Sequence, residues 1–342
     1  MRRNRLPALG AAAVLLLTGC SIRQEPASRE IFAMDTIMSL EIYGDGGEEQ
    51  LERAVETIGR LEDLWDVTDE DSEVWALDHS GGEWVDLSPE TVQLLSQALE
   101  LCDLTGGALD LTAYPAVRAW GFTTGEYRVP DQEERAALLT QIDYTRLELD
   151  DGWGRLPAGM ELDLGSVAKG YTGALLARQL REAGVESALL SLGGNIQTVG
   201  AKPDGSPWRV AVQDPEQDGQ TALGVVEVVD LAVVTSGGYQ RYFEEDGTRY
   251  WHIMDPDTAA PARSGLSSVT VVGADGTVCD ALSTALFVIG AEEAADFWRE
   301  NPSLAVELIL VEEDGTVLIT PGLEDAFQLA EGQEREQVVI QP

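Results

Sequence analysis

The chain has 342 residues, 44% of them hydrophobic, which is room for one large domain or two modest ones. Its 22 Lys and Arg against 61 Asp and Glu leave a formal charge of −39. That charge excludes nucleic acid as a partner, because phosphate backbones are held by basic surface. Lys169 and Lys202 are the only lysines, and His79 and His252 the only histidines, so chemistry that needs either type has few candidates.

Arg2, Arg3 and Arg5 precede a short apolar run, residues 6–17, and then Leu17-Thr18-Gly19-Cys20. The run is too short to span a bilayer and has the layout of a signal peptide. The LTGC motif resembles a bacterial lipobox, which implies removal of residues 1–19 and lipid on Cys20. A lipid-anchored protein on the extracytoplasmic face of a cell membrane is expected. Residues 20–30 are polar with one proline and read as the lipidated cysteine and its tether. Residues 31–342 are then a single domain. Cys102 and Cys279 lie in apolar helical patterns without repeated spacings, so both are read as buried free thiols.

Residues 32–43 (FAMDTIMSLEIY) have β character and are predicted as the first strand, with Met34 in the core. Leu51, Val55, Ile58, Leu61 and Trp65 follow helical spacing. Ser88, Pro89 and Glu90 open a second helix, with a cap, a proline in the first turn and an acid at the positive end. Its buried face is marked by Val92, Leu95, Leu99 and Cys102, and Gly106-Gly107 ends it. In residues 108–122 (ALDLTAYPAVRAWGF) Asp110 is the only acid; it suits a capping carboxylate and a ligand contact equally. A helix is expected over 130–142, and strands over 146–149 and 160–164. Tyr171, Ala174, Leu175 and Leu180 mark a helix closed by Gly184. Strands follow at 188–192, 208–212 and 225–234. Asp246-Gly247 and Asp314-Gly315 read as hairpin turns. Interleaved helices and hairpin-joined strands point to an α+β fold with mixed or antiparallel sheet, not a doubly wound parallel one.

Three stretches carry chemistry. Residues 161–171 (ELDLGSVAKGY) place Asp163 and Lys169 on either side of a glycine-containing turn that leads into a helix. Such a turn admits a phosphate, because Gly165 and Gly170 let backbone approach and the helix N-terminus favours an anion. It is neither a complete Walker A pattern nor a G-x-G-x-x-G. Residues 250–256 (YWHIMDP) put His252 before a sharp Asp-Pro stop, between a structural and a catalytic reading. His79 has no such context and reads as surface. In residues 279–290 (CDALSTALFVIG), Asp280 and Thr284 share one helix face. They suit Mg²⁺ as hard oxygen donors. By spacing alone, a helix-dipole role for Asp280 and a backbone bond for Thr284 fit better.

Taken in order, FAMDT, ALDLTAYPAVRAWGF, DLGSVAKGY, SLGGNI, PWRVAVQDP, TSGGYQRYF, HIMDP and CDALSTAL resemble the ApbE family of FAD:protein FMN transferases, from about residue 32 to residue 290. The resemblance implies Mg²⁺-dependent transfer of FMN from FAD to a Ser or Thr hydroxyl of a target flavoprotein, with AMP released. It implies FAD contacts from Met34, Ala108, Leu109, Asp110, Asp163, Lys169 and Met254. Metal ligands would be Ser166 (through its carbonyl), Asp280 and Thr284, and His252 matches a histidine important for transfer. Displacement at phosphorus needs alignment, charge neutralisation and an activated hydroxyl. His252 or Asp280 could take the hydroxyl proton; His252 is the preferred base, because ligation lowers a carboxylate's basicity. Two positions depart from the pattern: Thr68 stands where many relatives have an aromatic residue, and Ala259 where glycine is common. Two other readings remain open on sequence: a Mg²⁺-dependent FAD pyrophosphatase that uses water, and a non-catalytic flavin-binding lipoprotein.

Overall fold

The computed structural model describes residues 25–216 and 221–342. The expected signal segment and Cys20 lie outside the described residues. Among these residues, no helix is long and apolar enough to cross a membrane.

Nine strands make the central sheet. It runs from β1 (Ala27–Ala33) and β2 (Thr36–Tyr43) through Ser187–Leu192, Asn195–Val199, Ala232–Gly237, Leu266–Gly273, Glu307–Glu312 and Val317–Ile319 to Gln337–Val339. Each neighbouring pair is antiparallel except the last. Period-two alternation buries both faces. Val233, Val272, Ile309 and Val311 face a three-stranded sheet of Trp208–Gln213, Ala222–Val228 and Phe327–Leu329. Val234, Val271, Leu308 and Leu310, on the other face, meet helices.

The helices are α1 (Gly47–Trp65), α2 (Glu73–His79), α3 (Pro89–Leu104), α4 (Tyr114–Ala119), α5 (Gln132–Leu138), α6 (Ala168–Glu182), α7 (Gly276–Ile289) and α8 (Ala291–Glu300). α1 buries Leu51, Ile58, Leu61 and Trp65 of the expected 3.6-residue stripe; at its second position Ala54 is buried and Val55 only half-buried. Ser88 caps α3 by accepting the Thr91 N–H. Cys102 and Cys279 are buried free thiols, and His79 is exposed, stacked on Trp75. The mixed and antiparallel α+β architecture is therefore as the sequence indicates.

Four boundaries differ. Ala27–Glu30, assigned to the tether, are already in β1. Residues 32–43 are not one strand: the chain reverses at Met34 and Asp35, with φ of 48° and 59°. Two left-handed residues make this the tight turn suited to a hairpin, but Met-Asp is not the usual Asn-Gly signal for it. Residues 225–234 also split, at Asp230 with φ 59°. Its carboxylate accepts the Gly200 N–H and binds Arg181, fixing the turn. Residues 160–164 form no strand. Their donors are taken elsewhere: Leu162 N–H goes to Asp78 Oδ1 at 2.9 Å and Asp163 N–H to the Leu111 carbonyl at 3.1 Å. With these partners no ladder is needed.

Candidate active site

Helices, strand ends and loops enclose a cavity of about 940 Å³. Met34, Ala108, Leu109, Asp110, Asp163, Ser166, Lys169, His252, Met254, Asp280 and Thr284 all line it, from segments spread over the chain.

Its tightest wall is the crossing of α6 and α7. A Cβ on Gly170 would stand 2.2 Å from the Gly276 carbonyl oxygen, and one on Gly276 would stand 2.6 Å from the Gly170 carbonyl oxygen. Only two glycines allow this approach. It delivers the Gly170 N–H to Asp280 Oδ2 at 2.8 Å. Asp280 is 4% exposed. Burial pushes its carboxyl above the usual range, against the pull of Lys169 and of the Gly170 N–H. The helix-dipole reading of Asp280 does not hold: Asp275 caps α7, accepting from Thr277 N–H at 2.8 Å and Val278 N–H at 3.4 Å. Nor is Thr284 found bonding back to its helix. Its hydroxyl lies 3.2 Å from Ser236 Oγ, and it is Ser283 that donates to the Asp280 carbonyl.

The turn before α6 supplies the next group. Asp163 Oδ1 accepts the Gly165 N–H at 2.7 Å, and Lys169 Nζ donates to the Gly165 carbonyl at 3.1 Å. Desolvation raises the Asp163 carboxyl, opposed by that N–H and by the charges of Lys169 and Arg241. Asp110 fulfils its capping reading and still lines the cavity: it accepts from Thr112 N–H (2.7 Å), Thr112 Oγ1 (2.6 Å) and Tyr144 N–H (3.1 Å). Burial nevertheless raises its carboxyl.

On the opposite side, half-buried His252 follows the hairpin Tyr242–Glu245/Thr248–Trp251. Its Nδ1 lies 3.3 Å from the Arg241 carbonyl. A carbonyl only accepts, so Nδ1 carries the proton and Nε2 keeps its lone pair. Burial, reinforced by the Arg241 charge, lowers the imidazole to about 4. His252 is therefore neutral at pH 7 and able to accept a proton.

A divalent cation can be tested against these donors. Among the described residues, no three His, Cys, Asp or Glu side chains converge on a metal position. The donors that the resemblance implies, the Asp280 carboxylate, the Thr284 hydroxyl and the Ser166 carbonyl, all belong to residues of this cavity. That all-oxygen set suits Mg²⁺, which uses few carboxylates and completes its shell with water and phosphate oxygens. Asn195 also stands in this wall, its buried side-chain amide beside the Asp280 carboxylate and helping to hold that carboxyl down.

The sequence profile of the ApbE family matches residues 34–308. The chain belongs to the ApbE family. It is 34% identical over 325 residues to the FAD:protein FMN transferase of Vibrio cholerae serotype O1 (strain ATCC 39541 / Classical Ogawa 395 / O395), covering 92% of this chain and 95% of that one. To the FAD:protein FMN transferase of Treponema pallidum (strain Nichols) it is 31% identical over 332 residues, 91% of each chain. The crystal structure of the ApbE protein from Thermotoga maritima superposes with a TM-score of 0.79 at 32% identity, covering 90% of this chain and 97% of that one. The apo Pseudomonas stutzeri flavinyl transferase ApbE gives 0.78 at 28% identity, covering 90% and 98%.

Against that family pattern the two departures have local explanations. Thr68 lines the cavity and is tied to Asp66 Oδ1 through both its N–H (2.8 Å) and its hydroxyl (2.7 Å). It ends the loop with a short hydrogen-bonding side chain and offers no ring to stack. Ala259 does take the left-handed conformation, φ 50°. Its carbonyl accepts the Trp120 indole N–H at 2.9 Å, inside an aromatic cluster. Sequence reasoning missed Glu62, Asn195 and Arg241, which also line the cavity. Arg241 lay inside the quoted TSGGYQRYF, and its cationic side chain in so acidic a chain was the available signal.

Proposed function

We infer that this ApbE-family protein is an FAD:protein FMN transferase. It moves FMN from FAD to a Ser or Thr hydroxyl of a target flavoprotein, releases AMP and depends on Mg²⁺. The observation that carries this reading is one cavity with Asp280 locked at the α6–α7 crossing and a neutral, tautomer-fixed His252 on another wall. A cavity of about 940 Å³ lies at the upper end of the volumes that hold small-molecule ligands, as a dinucleotide requires.

The acceptor hydroxyl oxygen forms a new bond to the FMN phosphorus, and the bond from that phosphorus to the AMP oxygen breaks. His252 Nε2 takes the hydroxyl proton. Lys169 brings positive charge to the pyrophosphate. Asp163 and Asp110 are acceptors for N–H or O–H groups of the nucleotide, not for its phosphates, because like charges repel. Asp280, Thr284 and the Ser166 carbonyl would hold Mg²⁺, which supplies charge neutralisation at the pyrophosphate. Since Ser166 would act through its backbone, Ser166→Ala retains transfer. The LTGC motif further supports lipid on Cys20 and work at the extracytoplasmic membrane face.

The test incubates the protein with FAD, Mg²⁺ and a candidate acceptor, followed by in-gel flavin fluorescence. A fluorescent acceptor supports transfer. Free FMN alone supports hydrolysis, and unchanged FAD supports binding only. Transfer that persists undiminished in EDTA sinks the metal assignment.

A further inference from the structure

We propose that Glu62 is a positioning residue for flavin-nucleotide binding, holding the Met34–Asp35 turn in the shape that forms one wall of the cavity. This rests on the FAD-site reading above. The register of β1 on β2 pairs Ala33 with Thr36 and leaves Met34 and Asp35 as a two-residue turn. Both are left-handed, at φ 48° and 59°. Glycine and asparagine favour this conformation; methionine does not. Left-handed non-glycine residues persist only where their surroundings over-determine them, and they gather at ligand sites.

Two contacts over-determine this one. The Met34 N–H, at the first turn position, donates to Glu62 Oε1 at 2.6 Å, from α1 and 28 residues along the chain. Thr36, immediately after the turn, fills the space above Gly193, where a Cβ would meet its side chain at 2.4 Å. The hairpin tip is thus wedged between the glycine turn at Gly193 and one carboxylate. Glu62 has no cation among the described residues to explain it otherwise. Met34, Asp35, Thr36 and Glu62 all line the cavity. Without the Glu62 oxygen, the Met34 N–H loses its acceptor and the strained turn relaxes, pulling on a Met34 side chain whose sulfur lies 4.0 Å from Thr172 Oγ1.

The test is FAD affinity of the full chain, by flavin fluorescence titration in Mg²⁺, with thermal melting as a parallel measurement. Glu62→Ala is expected to weaken FAD binding by about ten-fold or more, the size of a lost hydrogen bond to a charged group. Glu62→Gln keeps an acceptor oxygen for the Met34 N–H and is expected within about three-fold of wild type. The acceptor-protein KM should move in neither. If Glu62→Ala fails to fold, Glu62→Asp withdraws the oxygen by one methylene and carries the same prediction of weaker FAD binding. Wild-type affinity in Glu62→Ala or Glu62→Asp overturns the proposal. So does an equal loss in Glu62→Gln, which would show that charge matters and the bond to Met34 does not. Wild-type protein that binds no FAD overturns the functional reading itself, a different result.

Discussion

Where α6 crosses α7, backbone touches backbone through Gly170 and Gly276, and Asp280 is locked to an N–H at 2.8 Å. Across the cavity the chain is built differently. There His252 follows an exposed two-stranded hairpin, its ring held by one carbonyl at 3.3 Å. The first wall has no slack, because a buried carboxylate is tolerable only with fixed partners. The second can adjust, as suits a side that must admit a macromolecular acceptor. Under the proposed function, the end that would hold phosphate and metal is pre-built and the acceptor end is not.

The largest effect should come from breaking the rigid wall. Gly170→Ala puts a methyl 2.2 Å from the Gly276 oxygen and 2.5 Å from Asp280 Cβ. Neither neighbour is the flexible end of a side chain, so the helices must part, at about 3 kcal/mol or more. Mg²⁺ affinity and transfer should be lost together, with a Tm lower by several degrees. Gly173→Ala on the same helix is the control: its nearest obstacle, Gln197 Cβ, stands at 3.3 Å and need give only a few tenths of an ångström. That clash is small enough for the helical gain of alanine, about 0.5–1 kcal/mol, to offset it. Equal damage from both substitutions would show that the crossing is not special.

Next come the two chemical groups, one per wall. Asp280→Asn removes the buried charge and should abolish Mg²⁺ binding, read by titration, and transfer with it. His252→Ala should lower transfer by about 10²–10⁴-fold, the usual worth of a general base. FAD and Mg²⁺ affinities should be retained in that variant. If His252→Ala transfers normally while Asp280→Asn abolishes transfer without loss of Mg²⁺ binding, the roles are reversed.

A smaller effect lies in pH. His252 is lowered from 6.5 to about 4, so it stays a competent base well below the ordinary histidine range. The acid limb of kcat/KM should therefore fall below about pH 5.5, with no half-point near 6.5. The sign for stability runs the same way. Between 6.5 and about 4 the unfolded chain binds a proton on this group that the folded chain does not, so stability declines as pH falls through that window. Asp280 opposes it: its raised carboxyl costs stability when ionised, a cost relieved as pH falls or as a cation binds. Mg²⁺ should then raise Tm more at neutral than at acid pH. An acid limb centred at 6.5 would remove the case for a desolvated His252.

The rigid wall was also the legible one. Asp163, Lys169 and Gly170 sit within one turn, and Asp280 and Thr284 on one helix face, so local spacing exposes them. Even so, spacing favoured the wrong role for Asp280, because it could not show that Asp275 already capped the helix. The ordered motifs supplied what spacing did not. Glu62 is invisible from sequence, since its partner is a backbone N–H 28 residues away. The hairpin at Met34–Asp35 was missed for a related reason: its turn residues lack the glycine that announces such a turn, and tertiary contacts hold them. The α+β class survived these errors because alternating and helical apolar patterns are set by burial, not by turn chemistry.

The smallest effect should come from Ala259, a left-handed residue (φ 50°) buried in the aromatic cluster behind the cavity-lining Met254. Glycine there relieves roughly 1–2 kcal/mol of steric cost. It also adds freedom to the unfolded chain, worth about 0.4–1 kcal/mol against folding. Ala259 is fully buried, so its methyl takes with it about 0.8 kcal/mol of transfer free energy. The terms nearly cancel, and Ala259→Gly should change stability by less than about 0.5 kcal/mol, read by denaturant midpoint. The Trp120 bond uses the Ala259 carbonyl, which glycine retains, so the aromatic cluster should stay in place. A stabilisation above about 1 kcal/mol would mean that backbone strain dominates this wall as it does the Met34 turn, and that the wall is less adaptable than its exposed hairpin suggests.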